Sequence, residues 1–159
     1  MLIRPATPQD LPAVQALWNR MIEETLATFT SDPKTLQDLQ DLLAARAGSF
    51  LVAEDAGVQG FVTWGPFRPG PGYARTAEHT IITATPGRGT GRALLEAAFD
   101  RAAGQGLLTL VAGISAENPA AIRFHARLGF AESGRLPQVG QKWGRRLDLV
   151  LMTRALAPR

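Results

Sequence analysis

A glycine-rich segment is the part of the sequence most suited to binding an anion. It reads Pro86-Gly87-Arg88-Gly89-Thr90-Gly91-Arg92 and lies between a β-branched stretch and an amphipathic stretch. A strand-to-helix turn is therefore predicted, in which backbone N–H groups and the helix dipole favour a phosphate. Arg88 and Arg92 add two cations that can pair with it. The alternative is a tight turn with no ligand, and the three alternating glycines favour phosphate binding.

Two common phosphate motifs do not fit this turn. A P-loop ends in Gly-Lys-Ser/Thr, whereas this turn continues Gly91-Arg92-Ala93. A dinucleotide loop needs a small residue three positions after its second glycine, and Arg92 or Leu94 stands there instead. The ligand is therefore expected to be of another kind.

Glu78 is the candidate general base. It lies in the predicted strand 76–83, where burial would raise the pKa of a carboxyl group toward the range useful for proton transfer. The alternative is a structural ion pair with Arg75 or another arginine. His79 follows directly and should point to the opposite face of the strand. For His79, a structural role is at least as well supported as a role in the site.

These residues must be positioned by helices and strands, and the order of the predicted elements indicates one α+β domain over residues 1–159. The sheet is expected to be central, mixed and mostly antiparallel, with about four helices around it. The first helix starts at Thr7-Pro8, and the second is expected to begin near Asp32-Pro33, to bury Leu36, Leu39 and Leu43, and to end at Gly48. Further helices are predicted over 91–103 and 118–128, and strands over 2–4, 50–54, 58–64, 76–83, 107–114 and 147–152, with another strand after residue 130.

Composition narrows the function classes. The 159 residues are 45% apolar and contain no cysteine, which excludes disulfides, thiolate metal sites and a cysteine nucleophile. The net charge is +3, but the basic residues are scattered and form no cluster typical of nucleic-acid or membrane binding. No signal peptide or long apolar run is visible. A cytoplasmic protein without a metal, nucleic-acid or membrane partner is expected.

Several motifs together resemble the GNAT superfamily of N-acetyltransferases. Gly89-x-Gly91 at a helix start resembles its acetyl-CoA pyrophosphate loop, and residues 118–130 resemble its second signature. The start, Ile3-Arg4-Pro5-Ala6-Thr7, is also similar. Residues 65–69, Glu78-His79, 111–114 and 144–152 look like the branch of phosphinothricin and methionine sulfoximine/sulfone acetyltransferases. The similarity extends from residue 3 to residue 152.

This resemblance implies acetyl transfer from acetyl-CoA, a co-substrate, to the amine of a small amino acid or analogue, and it implies a homodimer. Glu78 would be the base, and His125 falls where many members carry a tyrosine that protonates the departing thiolate; a structural histidine is the equal alternative. Backbone N–H groups at Ile81 and Ile82 would stabilise the oxyanion if the strand splays from its neighbour. The expected acetyl-CoA contacts are Ile81, Ile82, Thr83, Gly87, Arg88, Gly89, Thr90, Gly91, Arg92 and Asn118.

The loop before the strand 76–83 is the candidate acceptor site. Arg68, Tyr73 and Arg75 border it, and Arg75 is expected to hold the acceptor carboxylate. Arg68, at the other edge of the loop, is the rival for that role, and a solvated loop is the alternative. Pro86 stands where the superfamily often has arginine or glutamine, and the segment before the glycine turn looks about two residues shorter than usual. A catalytically weak CoA-binding regulatory module is therefore the alternative function.

Overall fold

The computed structural model describes residues 1–157, which form one sheet with helices on both faces. The strands are β1 (Leu2–Pro5), β2 (Phe50–Glu54), β3 (Val58–Pro66), β4 (Thr76–Thr83), β5 (Thr109–Ser115), β6 (Ala131–Lys142) and β7 (Arg145–Ala155). The α-helices are α1 (Leu11–Glu24), α2 (Leu36–Ala45), α3 (Thr90–Gly104) and α4 (Pro119–Arg127). The predicted α+β class, with a mixed sheet and four helices, is confirmed.

The seven strands form a single sheet in the order β1-β2-β3-β4-β5-β7-β6. All neighbouring pairs are antiparallel except β4 and β5. A parallel pair requires a crossover connection, and α3 provides it between these two strands. The glycine turn begins that crossover, so it lies at the end of β4. No helix in residues 1–157 is both long and apolar enough to cross a bilayer.

Each face of the sheet has its own buried core. On one face, α3 packs Leu94, Leu95 and Ala98 against strand residues such as Val62 and Leu110. On the other face, α1 and α2 cover Phe50, Phe61 and Ile82. Successive residues of a strand point to opposite faces, so β4 sends neighbouring side chains into two different environments.

The second helix starts later than the sequence predicted. It begins at Leu36 because Thr35 caps it: the Thr35 hydroxyl accepts from the Asp38 amide, and the Asp38 carboxylate accepts from the Thr35 amide. Asp32-Pro33 therefore lies in the preceding loop. Leu36 is 42% exposed, and Leu39 is the fully buried leucine of this helix. The helix ends at Ala45, before a turn that contains Gly48.

Candidate active site

The central feature of the site is an opening between the two parallel strands. β4 and β5 pair only from Thr76 with Thr109 to His79 with Ala112, although β4 continues to Thr83 and β5 to Ser115. The last part of β4 still pairs with β3 on its other side. Because the N–H groups of a strand alternate between its two edges, some of those in 80–83 face the opening.

A cavity of about 260 Å³ occupies this opening and reaches both faces of the sheet. On one side it is lined by residues of α1 and of the segment after it, and on the other side by residues of α4. Its lining includes Trp18, Met21, Ala27, Thr28, Phe29, Glu78, His79, Thr80, Ile81, Ile82, Gly113, Ser115, Asn118, Ala121, His125 and Leu149. The two sides can therefore receive two different molecules that meet at the opening.

Glu78 lies on the α1 side of this cavity. Its carboxylate takes the space beside Gly113, where an added Cβ would lie 3.2 Å from Oε2. Within residues 1–157 it makes no hydrogen bond or ion pair. Burial raises the pKa of the Glu78 carboxyl, and the positive charge of Arg46 acts in the opposite direction. The site therefore holds a half-buried carboxylate that is free to accept a proton.

Arg46 is a neighbour of Glu78 that the sequence analysis missed. Gly65 is the β3 partner of Glu78, and an added Cβ at Gly65 would lie only 2.7 Å from Arg46 Nε. The guanidinium therefore occupies the space of the missing side chain on the same face as Glu78. Arg46 Nη1 donates to Thr63 Oγ1 over 3.3 Å, whereas its other nitrogens have no acceptor within residues 1–157. Arg46 directly follows α2 in the sequence, so the alternation of residues along a strand could not predict that it lies near Glu78.

The two histidines form a buried pair on the opposite side of the sheet from Glu78. His79 Nε2 lies 3.0 Å from His125 Nε2, and both rings pack against Phe130. The carbonyl of Ala121 lies 2.8 Å from His125 Nδ1, so that nitrogen must carry a proton to donate. In the neutral pair His125 Nε2 is then an acceptor, and His79 Nε2 donates to it. Both ring nitrogens of His125 are thereby engaged within the protein.

Burial keeps this pair uncharged. It lowers the pKa of His79 to about 3, with His125 adding to the effect, and it lowers the pKa of His125 as well. The carbonyl of Val111 opposes the shift of His79, yet His79 Nδ1 has no partner with hydrogen-bond geometry in residues 1–157. An imidazolium here would lose its hydration without gaining a counterion.

The glycine turn lies at the start of α3, next to α4. Gly87 and Gly89 have φ angles of 79° and 78°, which glycine adopts at little cost. Both have open space where a Cβ would stand, whereas a Cβ at Gly91 would lie 3.0 Å from the Phe124 ring. The exposed turn thus presents backbone amides to solvent beside α4. Thr90 is buried at the helix start.

Of the other residues expected to contact acetyl-CoA, Asn118 lines the cavity, whereas Thr83, Arg88 and Arg92 do not. Arg88 is exposed, while Arg92 forms an exposed ion pair of 2.8 Å with Glu96. Asn118 caps α4, its side chain accepting from the Ala121 amide over 3.2 Å, and it lines the cavity. Thr83 lies beside Gly91 at the end of β4.

The three residues expected to bind the acceptor do not line the cavity of Glu78. Arg68 and Tyr73 line a second cavity of about 410 Å³. Arg46 lines that cavity too, so it lies between the two spaces. Arg75 is exposed and belongs to neither lining, and it does not neutralise Glu78, since the charge acting there is that of Arg46.

Comparisons with known proteins agree with this architecture. Residues 14–130 match the Acetyltransferase (GNAT) family. The chain is 42% identical to the L-methionine sulfoximine/L-methionine sulfone acetyltransferase of Pseudomonas paraeruginosa, over 98% of this chain and 95% of that protein. It is 35% identical to the phosphinothricin N-acetyltransferase of Streptomyces coelicolor, over 97% and 95% of the two chains. A GNAT superfamily phosphinothricin acetyltransferase from Sinorhizobium meliloti, solved in complex with AcCoA, superposes with a TM-score of 0.92 at 27% identity, over 98% of this chain and 88% of that one.

The opening between β4 and β5, the glycine turn and these matches define the class of protein. The chain belongs to the GNAT acetyltransferase family. It is an N-acetyltransferase, and acetyl-CoA is its co-substrate.

The histidine pair predicts a pH dependence of stability. Because the folded pKa values lie below the unfolded value of 6.5, the unfolded chain binds more protons between pH 6.5 and about 3, and stability falls as pH falls. His79 should cost about 1.4 kcal/mol per pH unit over that range, and His125 should add to the loss in the same direction. We expect His79→Leu to lose less stability than the wild type between pH 7 and pH 5 in urea titrations. Equal losses in the two proteins would contradict this account.

Proposed function

We propose that this N-acetyltransferase acetylates the amine of a small amino acid or amino-acid analogue, of the methionine sulfoximine, methionine sulfone or phosphinothricin kind. The observation that carries this is the half-buried carboxylate of Glu78, which has no ion-pair partner within residues 1–157 and faces the opening between β4 and β5. The names of the relatives support the acceptor class.

The proposed reaction begins with the neutral amine. An ammonium group with a pKa near 10 must lose a proton before it can attack, and Glu78 accepts that proton directly or through water. The amine nitrogen then bonds to the thioester carbonyl carbon, the carbon–sulfur bond breaks, and the nitrogen releases its second proton to solvent. Amides in 80–83 that face the opening are suited to stabilise the oxyanion, and Ile81 is our candidate. Ile82, the other residue expected from the resemblance, is two positions from Ala84, whose amide donates to a carbonyl of β3, so alternation directs the Ile82 amide to β3 as well.

The departing CoA thiolate must take up a proton, and His125 remains our candidate donor. It lines the cavity on the α4 side, where the resemblance expects the cofactor. Its Nδ1 donates to the Ala121 carbonyl, so only Nε2 is available, and that atom faces His79. In the neutral pair that atom carries no proton, so protonation of the thiolate would require His125 to transfer its proton from Nδ1 to Nε2 and to exchange its contacts with Ala121 and His79.

We propose that the glycine turn binds the CoA pyrophosphate. This proposal is supported by the left-handed backbone conformation of Gly87 and Gly89 at the start of α3. Arg88 is exposed and can pair with the phosphates, whereas Arg92 would first have to break its ion pair with Glu96. Thr83, Thr90, Gly91 and Asn118 complete the proposed binding surface.

Three arginines and one tyrosine are candidate partners for the acceptor carboxylate. Arg75, the residue expected from the sequence, is exposed outside the cavity, and Arg68 and Tyr73 border the second cavity. Arg46 is a further candidate because its Nε and Nη2 groups lack a protein acceptor near Glu78. Replacing each arginine in turn and comparing amino acids with matched amines that lack the carboxylate would identify the partner.

We also propose a homodimer in the cytoplasm. The resemblance supports the dimer, and so do exposed apolar side chains of the β6–β7 hairpin, namely Leu136, Val139 and Trp143. The absence of cysteine is compatible with a cytoplasmic location.

The proposed function is tested by an acceptor panel with acetyl-CoA, in which released CoA thiol is measured. We expect acetylation of small amino-acid analogues, and Glu78→Gln should lower kcat by about 10²- to 10⁴-fold, because the amide cannot accept the proton. Bound acetyl-CoA without turnover of any acceptor would favour the regulatory module instead. A variant with wild-type turnover and pH profile would exclude Glu78 as the base.

Removal of the Arg46 charge should move the pH profile. The guanidinium lowers the pKa of Glu78, so Arg46→Met should raise that pKa and shift the acidic limb of kcat/KM to higher pH. Arg101→Met removes an exposed cation from α3 and should leave the limb in place. An unshifted limb in Arg46→Met would show that Arg46 does not influence the base.

The glycine turn is tested by two matched glycines. Gly89→Val should weaken acetyl-CoA binding about tenfold or more, because a side chain there strains the turn and obstructs the phosphates. Gly106 has a φ of 85° and open surroundings at the other end of α3, so Gly106→Val carries the same strain without touching the turn. Equal affinities of the two variants by calorimetry would refute pyrophosphate binding at this turn.

A further inference from the structure

The edge strand β6 is exposed along most of its length, with two informative exceptions. Gly140 and Lys142 are the only residues of this strand that are fully buried. They are two positions apart in the strand and therefore face the same side of the sheet. Both contact the segment 25–29, which connects α1 to α2 and has no regular secondary structure.

The Lys142 ammonium binds this segment through its backbone. Nζ donates to the carbonyls of Ile22, Thr25 and Thr28 over 2.6, 2.7 and 3.0 Å, and it also lies 3.2 Å from Thr28 Oγ1. The contacts join β6 to residues more than a hundred positions earlier in the chain. One side chain thus links the end of α1 to both ends of the stretch 25–28.

A buried ammonium without a carboxylate is unusual, and its surroundings explain how it is tolerated. The Lys142 side chain is 2% exposed and forms no ion pair with any residue of 1–157. Burial lowers its pKa, yet the carbonyls at the end of α1 carry the negative end of the helix dipole and favour the charged form. Such a group is costly to bury, and its loss would leave three carbonyls without their donor.

Gly140 holds the next part of the same segment. The ring of Phe29 packs directly on the Gly140 backbone, and any added Cβ would collide with it. Glycine at this position therefore allows the ring to approach the strand. The two buried positions of β6 fix the segment at Thr28 and at Phe29.

This segment forms part of the cavity that contains Glu78. Ala27, Thr28 and Phe29 line it together with Trp18 and Met21 of α1. These residues lie on the α1 side, whereas Asn118 and His125 line the α4 side proposed for acetyl-CoA. The α1 side is mainly apolar and carries Glu78, so it is the side where the acceptor amine and its side chain would lie.

We propose that Lys142 is a positioning residue: by holding the segment 25–29 against β6, it keeps the Phe29 ring in place on the α1 side of the cavity and so preserves acceptor binding. The inference rests on the proposed acetylation of a small amino acid or analogue. It assigns a role in acceptor binding to a residue of β6 that does not itself line the cavity.

Steady-state kinetics of Lys142→Met test the proposal. We expect the KM for the acceptor to rise about tenfold or more, because the segment 25–29 is no longer held in place, while the KM for acetyl-CoA changes less than about twofold. Gln141→Met is the matched control, since Gln141 is the exposed neighbour whose side chain points to the other face. An unchanged acceptor KM in folded Lys142→Met would overturn the proposal.

A double-mutant cycle separates positioning from a general structural effect. If Lys142 acts through Phe29, the effects of Lys142→Met and Phe29→Leu on acceptor KM should be strongly non-additive. Independent, multiplicative effects would contradict that route. If Lys142→Met does not fold, Gly140→Ala displaces the Phe29 ring and should raise acceptor KM in its place; an unchanged value would overturn the proposal.

Hydrogen exchange distinguishes failure of this inference from failure of the proposed function. If the wild type acetylates no acceptor of the panel, the proposed function fails. The positioning role is still measured by exchange of the amides in 25–29, which Lys142→Met should accelerate and Gln141→Met should not. Unaltered exchange in Lys142→Met would refute the positioning role.

Discussion

The limited pairing of β4 with β5 is the constraint on which the rest of the site depends. Four register pairs hold the two strands together up to His79 and Ala112, and beyond them the strands separate. A sheet with a complete ladder here would have no cavity and no backbone amides facing one. Because the opening passes through the sheet, helices on opposite faces contribute to one site. The α4 side and the α1 side can hold two reactants that meet within the plane of the sheet.

Strand alternation gives β4 two kinds of titratable group within two consecutive residues. Glu78 faces α1, where the charge of Arg46 counteracts the effect of burial on the carboxyl pKa. His79 faces the α3 core, where burial keeps the pair with His125 neutral. Alternation therefore separates a carboxylate that can exchange protons from an imidazole pair whose two Nε2 atoms are hydrogen-bonded to each other. The same sheet face that holds Glu78 also holds the segment fixed by Lys142.

Much of the fold was predictable because it follows local rules. The strands around Phe50 and Glu78 and the helix after the glycine turn have clear periodicity, and their predicted bounds agree closely with the structure. The second helix was misplaced because its signal is a capping box at Thr35, which the more conspicuous Asp32-Pro33 obscured. Arg46 was not predicted for a different reason: its guanidinium lies near Glu78 because it fills the space that a side chain at Gly65 would occupy.

The sequence by itself determined the α+β class, the glycine turn, the family resemblance and the carboxylate in β4, because each depends on residue types at fixed local spacing. Only the tertiary structure decided which groups meet. It joined His79 to His125, Arg46 to the surroundings of Glu78, and Lys142 to a segment more than a hundred residues away. It also placed Arg75 outside the cavity. Such contacts depend on where strands separate and where a missing Cβ leaves room, and neither is expressed in local periodicity.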